Sequence, residues 1–285
     1  MRMCYLIQVH KYPEQLARLV NKIIYPNMDI YIHVDLKSDE NAFKKLTKKY
    51  DVNYVKKRIN VQWAGFSNAQ ATIEGMREIL KSGRKYDYIH VVSGQDYPIK
   101  KNEYIIEFFK KNQGKEFIAY KSLYDEWREA LPKIEYYHFE DWKIRGKYRL
   151  SFLLKHILPK RKFPYGWKPY GYSRWFSITQ EMAKYILDFI DNHADFVRFF
   201  KYTTCGDEIF FCTIARYSPL HENIINDDLR YVDWSTKLTD PKAANPKILT
   251  INDYNSLINS DKIWARKFDI FKDQKIIDKI DEYIQ

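Results

Sequence analysis

The sequence has 285 residues, of which 45% are hydrophobic and 17% aromatic, and it carries a formal net charge of +11. This apolar content is ample for a core, which excludes global disorder. No apolar run approaches the roughly 20 residues that span a bilayer, and no signal peptide is evident, so we expect a chain that is not itself anchored in a membrane.

The excess of 48 basic over 37 acidic residues favours an anionic partner: a nucleotide diphosphate, a nucleic acid or an acidic membrane face. The basic residues are spread along the chain without a recognised nucleic-acid-binding motif, so a basic nucleic-acid-binding protein is the alternative of another class and we expect no nucleic-acid partner. Cys4, Cys205 and Cys212 have no metal-ligand spacing, and the last two are too far apart for a disulfide. Reduced thiols indicate a cytoplasmic protein.

The chain begins with a strand–helix–strand pattern. Residues 3–9 form a buried strand, Pro13 opens an amphipathic helix, and residues 29–35 form a second strand that ends on Asp35. This order is typical of a parallel sheet, whose ligands bind outside the carboxyl ends of the strands, here at His10 and Asp35. Asp35 can accept hydrogen bonds from a ribose or a uracil. The alternative is that it is only part of the N-terminal cap of the next helix.

The other predicted elements continue the alternation of strands and helices. Strands are predicted at residues 52–55, 60–63, 86–93, 117–120, 172–179, 229–234 and 246–250. Helices are predicted at residues 44–50, 67–80, 102–111, 180–192 and 275–284. Trp63, at the tip of its strand, can flank a base. Residues 127–169 are irregular, basic and aromatic, and too long for a passive connection, so we interpret them as an acceptor-side insertion.

A Gly206-Asp207-Glu208 step leads into an apolar run. Either Gly206 or Asp207 can cap a helix there, which places Glu208 in its first turn. A carboxylate held at the edge of a core suits a general base. The alternative is that both carboxylates only complement the helix dipole.

Several phosphate-binding signatures are missing from the sequence. There is neither a Gly-x-x-x-x-Gly-Lys loop nor a Gly-x-Gly-x-x-Gly fingerprint, and Asp35-Leu-Lys37 places a lysine where an Asp-x-Asp metal pair would have its second carboxylate. A bound diphosphate would then need fixed cations, for which Lys247, Arg266 and Lys267 are candidates. The alternative for each of them is a solvated surface charge.

Seven blocks in order resemble the core-2/I-branching β-1,6-N-acetylglucosaminyltransferase family, which also contains the peptide O-xylosyltransferases. The resemblance covers nearly the whole chain, and the blocks lie at residues 31–38, 61–67, 93–100, 172–179, 206–211, 231–234 and 265–269. It implies a GT-A-like α/β fold with a mostly parallel, Rossmann-like twisted sheet flanked by helices. It also implies an inverting transferase that needs no cofactor and no divalent metal.

The resemblance assigns roles to the candidate residues. It makes Glu208 the catalytic base and Lys267 a diphosphate ligand, with Lys247 the nearest match to a second cation and Arg266 beside them. Nucleotide-sugar binding falls to Gln8, Val9, His10, Asp35, Lys37 and Trp63. Trp234 and Asp207 are the expected acceptor-binding residues. Trp234 is expected to pack on the acceptor sugar, and Asp207, about 100° around the helix from Glu208, is expected to be the cap and not the base. Thr236 stands where the family has an acceptor-contacting tyrosine.

The expected function is therefore transfer of a sugar from a UDP-sugar to a hydroxyl of a glycan or lipid-linked saccharide, forming a β-linkage. GlcNAc is the favoured donor sugar and xylose the alternative. We expect one domain over residues 1–285, with a nucleotide-binding half at 1–115 and an acceptor and catalytic half at 116–285. We expect a bacterial-type cytoplasmic enzyme. Its positive net charge is compatible with peripheral contact with an acidic membrane surface.

Overall fold

The computed structural model describes residues 1–235 and 246–285. Thr236, the expected departure from the family pattern, lies outside them. The strands are β1 (Met3–Val9), β2 (Met28–Val34), β3 (Asn53–Tyr54), β4 (Tyr88–Ser93), β5 (Asp96–Pro98), β6 (Glu116–Ser122), β7 (Tyr170–Ile178), β8 (Ile224–Ile225), β9 (Arg230–Val232) and β10 (Trp264–Arg266). The α-helices are α1 (Pro13–Ile23), α2 (Glu40–Thr47), α3 (Ser67–Lys81), α4 (Asn102–Lys111), α5 (Pro132–Glu135), α6 (Lys147–Ile157), α7 (Gln180–Asn192), α8 (Ala194–Phe200), α9 (Asp207–Arg216), α10 (Tyr254–Ile258) and α11 (Gln274–Tyr283).

The main sheet has the strand order β3-β2-β1-β4-β7-β6-β8 within the described residues. The strands β3, β2, β1 and β4 run parallel, while β7 is antiparallel to both β4 and β6. In the β1–β2 register Val9 is opposite Val34, so the two carboxyl ends lie side by side. The fold is thus the expected mixed α/β, GT-A-like sheet flanked by helices.

Two hydrophobic cores cover the two faces of the main sheet. Alternate residues of β1 divide between them, because side chains point to opposite faces along a strand. Tyr5 and Ile7 belong to the core with α1, α4 and α11. Cys4 and Leu6 belong to the core with α3, α7 and α9. Burial on both faces explains why the sequences of the parallel strands read as continuous apolar runs.

A second sheet, with the order β5-β10-β9, brings the late part of the chain to the turn after β4. In this sheet β10 is antiparallel to β5, with Arg266 opposite Asp96. Asp96 is fully buried, and one of its oxygens accepts a hydrogen bond of 2.9 Å from the Ser93 amide. The turn predicted after β4 is therefore part strand, and it supports the segment that carries Lys267.

Two predicted strands and the irregular insertion are corrected by the structure. Residues 60–63 form no strand, since the amide of Gln62 bonds to the Ser67 hydroxyl instead of a neighbouring strand. Residues 246–250 also form no strand, although the Lys247 amide donates to the Asp233 carbonyl and the Leu249 amide to the Lys267 carbonyl, and the Lys267 amide donates to the Lys247 carbonyl. The insertion at 127–169 contains the helices α5 and α6.

The main sheet takes strands from both expected halves, since β4 pairs with β7. The division of the chain into a nucleotide-binding half and a catalytic half stays a prediction. None of the described helices has the length and apolar composition needed to cross a bilayer.

Candidate active site

Polar residues meet at the carboxyl ends of β1 and β2. The Asp35 amide donates to the Val9 carbonyl at 2.8 Å, and the Ser38 hydroxyl donates to the His10 carbonyl at 2.7 Å. The Asp35 carboxylate is buried, accepts a 2.9 Å bond from the Lys37 amide and lies 3.6 Å from the Lys37 ammonium. The structure therefore brings Val9, His10, Asp35 and Lys37 together as the sequence predicts, in a turn fixed by the aspartate itself.

Gln8 lies one residue before this turn and points to the other face of the sheet. Its amide nitrogen donates to the Thr72 hydroxyl at 2.6 Å, and its oxygen accepts a hydrogen bond from the Arg174 guanidinium. Arg174 also donates to Asn68 at 2.7 Å and lies 3.2 Å from Asp207. Gln8 thus connects the nucleotide-side strand to the first turn of α9.

Asp207 does not cap α9, contrary to the expectation. Gly206 occupies the cap position, and no side chain makes a capping hydrogen bond there. Asp207 is the first helical residue, is buried, and pairs with Arg174, whose pKa is lowered by burial. The Asp207 carboxylate is thus engaged by the Arg174 guanidinium instead of by the backbone amides at the start of the helix.

Glu208 lies in the first turn of α9, as predicted, and forms an ion pair with Lys133. The Lys133 ammonium is 2.5 Å from Oε2 of Glu208 and also lies over the Trp127 ring, 4.6 Å from its centroid. Burial raises the pKa of Glu208, Lys133 opposes that rise, and Asp207 adds to it. The Glu208 side chain is 29% exposed, so a solvent-side reactant can reach it.

The position of Glu208 depends on a close contact between β7 and α9. A Cβ atom on Gly171 of β7 would lie 2.6 Å from the Glu208 carbonyl oxygen and 2.9 Å from the Ile209 Cα. Only glycine allows this approach without a shift of the backbone. Before the helix, Cys205 has a φ of 49°, and its amide donates to the Ala64 carbonyl at 2.7 Å.

The three candidate cations have different surroundings. Arg266 donates to Asp96 at 2.6 Å and lies over the Trp175 ring, 4.9 Å from its centroid. Lys247 lies 2.7 Å from Asp253 and 3.3 Å from Asp233. Lys267 forms no ion pair with any residue of the described chain, and burial together with the neighbouring Arg266 and Lys11 lowers its pKa. Lys267 is therefore the cation among the three whose charge is least balanced locally.

The two candidate aromatic residues are accessible. Trp63 is 85% exposed and Trp234 is 48% exposed. A cleft of about 390 Å³ lies in the same region; its lining includes Gln62, Asp141 and Tyr202 but not Trp63. Asp141 accepts a 2.5 Å bond from the Ser67 hydroxyl at the start of α3. The cleft thus joins the turn after β3 to the insertion.

Sequence reasoning missed Lys133 and Arg174 as site residues. Arg174 lies in one of the recognised blocks, but its contact with Asp207 joins β7 to α9 and leaves no signal in the sequence spacing. Lys133 is one of many basic residues in the insertion. In residues 1–235 and 246–285 no group of three or more His, Cys, Asp or Glu side chains converges as metal ligands. Metal independence stays a prediction.

The mainly parallel sheet flanked by helices defines the class of fold first: a mixed α/β protein with a GT-A-like sheet. The profile of the Core-2/I-Branching enzyme family matches residues 3–258, and the chain belongs to that family. The recognition drawn from the ordered blocks is therefore confirmed.

The curated relatives include xylosyltransferases 2 from Bos taurus and from Homo sapiens, each 27% identical over 99% of this chain. The match covers 33% of the bovine protein and 34% of the human one, so this chain spans about a third of their length. A solved cytidylyltransferase from Leptospira borgpetersenii matches 70% of this chain and 74% of its own, with a TM-score of 0.33 and 11% identity.

Proposed function

We propose that the chain is an inverting, metal-independent glycosyltransferase that moves a sugar from a UDP-sugar to a hydroxyl of a glycan or lipid-linked acceptor. The observation that carries this proposal is the partly buried Glu208 carboxylate, which lies in the first turn of α9 and is approached by one lysine. Family membership and the cluster at the ends of β1 and β2 support it.

Glu208 acts as the general base. Lys133 occupies Oε2, while Oε1 accepts no hydrogen bond from the described residues and can receive the acceptor hydroxyl. The acceptor oxygen attacks the anomeric carbon as its proton passes to Glu208, and the bond from that carbon to the phosphate breaks with its electrons left on UDP. A single displacement converts an α-linked donor into a β-glycoside. The raised pKa of Glu208 makes it a stronger base than an ordinary glutamate.

The donor side is formed by Asp35 with Val9, His10 and Lys37, where a nucleoside would be bound. Lys267 serves as the cation for the diphosphate, and Lys247 and Arg266 hold the surrounding segments through their carboxylate partners. Trp63 and Trp234 are exposed aromatic surfaces for the base and the acceptor sugar.

Glu208→Gln tests the base. The variant removes the proton acceptor but keeps the shape of the side chain, so transfer should fall by about a hundredfold to ten-thousandfold while UDP still binds. Glu222→Gln is the matched control, because Glu222 is 85% exposed, and it should keep full activity. Near-normal transfer by Glu208→Gln would overturn the assignment.

Two donors remain candidates. The resemblance favours UDP-GlcNAc, whereas the relatives, which are xylosyltransferases, favour UDP-xylose. Thermal shifts measured with UDP, UDP-GlcNAc and UDP-xylose, followed by release of UDP in turnover, distinguish them. The true donor should raise the melting temperature above UDP alone and release UDP faster than the other sugar.

A further inference from the structure

The helix α6 exposes an apolar surface that the proposed reaction does not use. None of its 11 residues is buried. Four of its large apolar side chains are more than half exposed: Tyr148 at 66%, Phe152 at 67%, Leu153 at 53% and Ile157 at 64%. Single exposed apolar residues are ordinary on a protein surface, but four on one short helix form a patch that usually contacts a partner.

The same segment carries an unbroken excess of positive charge. No Asp or Glu occurs between Asp141 and Glu181. The helix contributes Lys147, Arg149 and Lys155, and the residues that flank it contribute Lys143, Arg145, Lys160, Arg161 and Lys162. Within the described ranges Lys143, Arg145, Arg149, Lys155 and Lys162 form no salt bridge. A partner with both apolar and anionic groups would therefore match this surface.

The surface is attached firmly to the rest of the protein at both ends. At the start of the helix, the Lys147 ammonium donates to the Glu140 carbonyl at 2.7 Å. After it, the Arg161 guanidinium donates to the carbonyls of Tyr202 at 2.8 Å and Phe199 at 2.6 Å, and Phe163 is buried against α8. Because the segments at both ends of α6 are bound to the rest of the protein, the apolar side chains of the helix stay exposed and do not pack onto the core.

We propose that α6 and its flanking cations, residues 143–162, bind the surface of an anionic lipid bilayer. Eleven residues make a helix of roughly 16 Å, which is too short to span a bilayer but suits the interface between headgroups and acyl chains. Phe152, Leu153 and Ile157 enter the apolar side of that interface while Arg149 and Lys155 contact the lipid phosphates. The surface includes neither Glu208 nor Lys267, so its role is independent of the proposed transfer reaction.

Sedimentation with lipid vesicles tests the surface in the full chain. The unmodified protein should sediment with vesicles of phosphatidylcholine mixed with phosphatidylglycerol, should not sediment with phosphatidylcholine alone, and should be released by high salt. Equal binding to both vesicles, or no binding to either, would overturn the proposal. This sedimentation experiment uses only the unmodified protein and needs no variant.

Two variants separate the apolar and charged contributions. Phe152→Ser combined with Ile157→Ser, and Arg149→Glu combined with Lys155→Glu, should each lower vesicle partitioning by about tenfold or more. The matched controls are Phe271→Ser, at a side chain that is 70% exposed, and Lys48→Glu combined with Lys49→Glu, at exposed lysines elsewhere. The proposal is wrong if the controls lose as much binding as the α6 variants. It is equally wrong if light scattering shows a dimer that the Phe152 and Ile157 changes dissociate, because α6 would then join two copies.

Discussion

Lys133 and Glu208 are 75 residues apart in the chain and in direct contact in the fold. The carboxylate is partly desolvated, which raises its pKa, and the ammonium limits that rise. In the proposed reaction Lys133 is a positioning residue: it holds Oε2 and leaves the other oxygen for the acceptor. Its charge also sets the pH at which Glu208 loses its proton.

Lys133→Ala tests this role. Without the lysine the pKa of Glu208 should rise further, so the acid limb of the kcat/KM profile should move to higher pH. Lys133→Arg keeps the charge and should restore the limb close to its original place. A merely structural lysine would lower the rate at every pH and leave the limb where it was.

Lys267 lacks a carboxylate partner among the described residues, so its charge is available to a bound diphosphate in the proposed reaction. A charge-assisted hydrogen bond contributes about 1.5–3 kcal/mol, so Lys267→Ala should weaken UDP binding by roughly tenfold to a hundredfold in calorimetry. The exposed Lys272→Ala is the control.

Metal removal accompanies this test. We expect EDTA to leave both UDP affinity and transfer unchanged, since the lysine supplies the positive charge. Rates that collapse with EDTA and return with Mg²⁺ or Mn²⁺ would contradict metal independence.

At the scale of elements, the contact between β7 and α9 decides where the Glu208 carboxylate lies. The helix begins immediately after Gly206, and Asp207 ties its first turn to Arg174 on β7. Gly171 lets the strand approach the backbone of Glu208 and Ile209. A local sequence pattern predicts the helix and its first turn, but not this distance between strand and helix.

Gly171→Ala should push α9 away from β7. The added methyl group meets backbone atoms, so we expect a loss of about 1–3 kcal/mol in the free energy of unfolding together with a fall in kcat. Gly75→Ala is the control, because its Cβ would meet the Leu6 side chain in the core beneath β1. That variant should lose stability in urea unfolding but keep the kcat of its folded fraction. Equal kcat values for the two variants would show that the β7–α9 distance does not govern catalysis.

At the scale of the whole molecule, buried histidines make stability depend on pH. His90 in β4 is fully buried against Tyr5, Tyr88 and Phe109, and burial lowers its pKa to about 3. Burial likewise lowers the pKa of His33 in β2 to about 4. Below the ordinary histidine pKa of 6.5, these histidines therefore bind protons in the unfolded chain but not in the folded chain. Stability contributed by these residues is complete above that pKa and is lost as the pH falls toward 4 and 3.

We therefore expect the two histidines to lower the free energy of unfolding as the pH falls from about 7.5 to about 4.5, while Glu116, whose pKa burial raises to about 7, opposes that loss. His90→Gln removes one titrating group, so its loss over the same interval should be smaller, whatever the substitution costs in packing. His156→Gln, at an exposed histidine, should keep the original slope. An unaltered slope in His90→Gln, measured by urea unfolding, would contradict the assignment.

The sequence by itself determined the α/β class, most of the main-sheet strands, the family and the places of Asp35 and Glu208. These features follow from local periodicity and from motifs a few residues long, which the chain carries whatever its packing. Only the tertiary structure decided that Asp207 pairs with Arg174 instead of capping, that Lys133 reaches Glu208, and that Arg266 is held by Asp96 from 170 residues away. Such pairs depend on how helices and strands pack, and sequence spacing does not encode those distances.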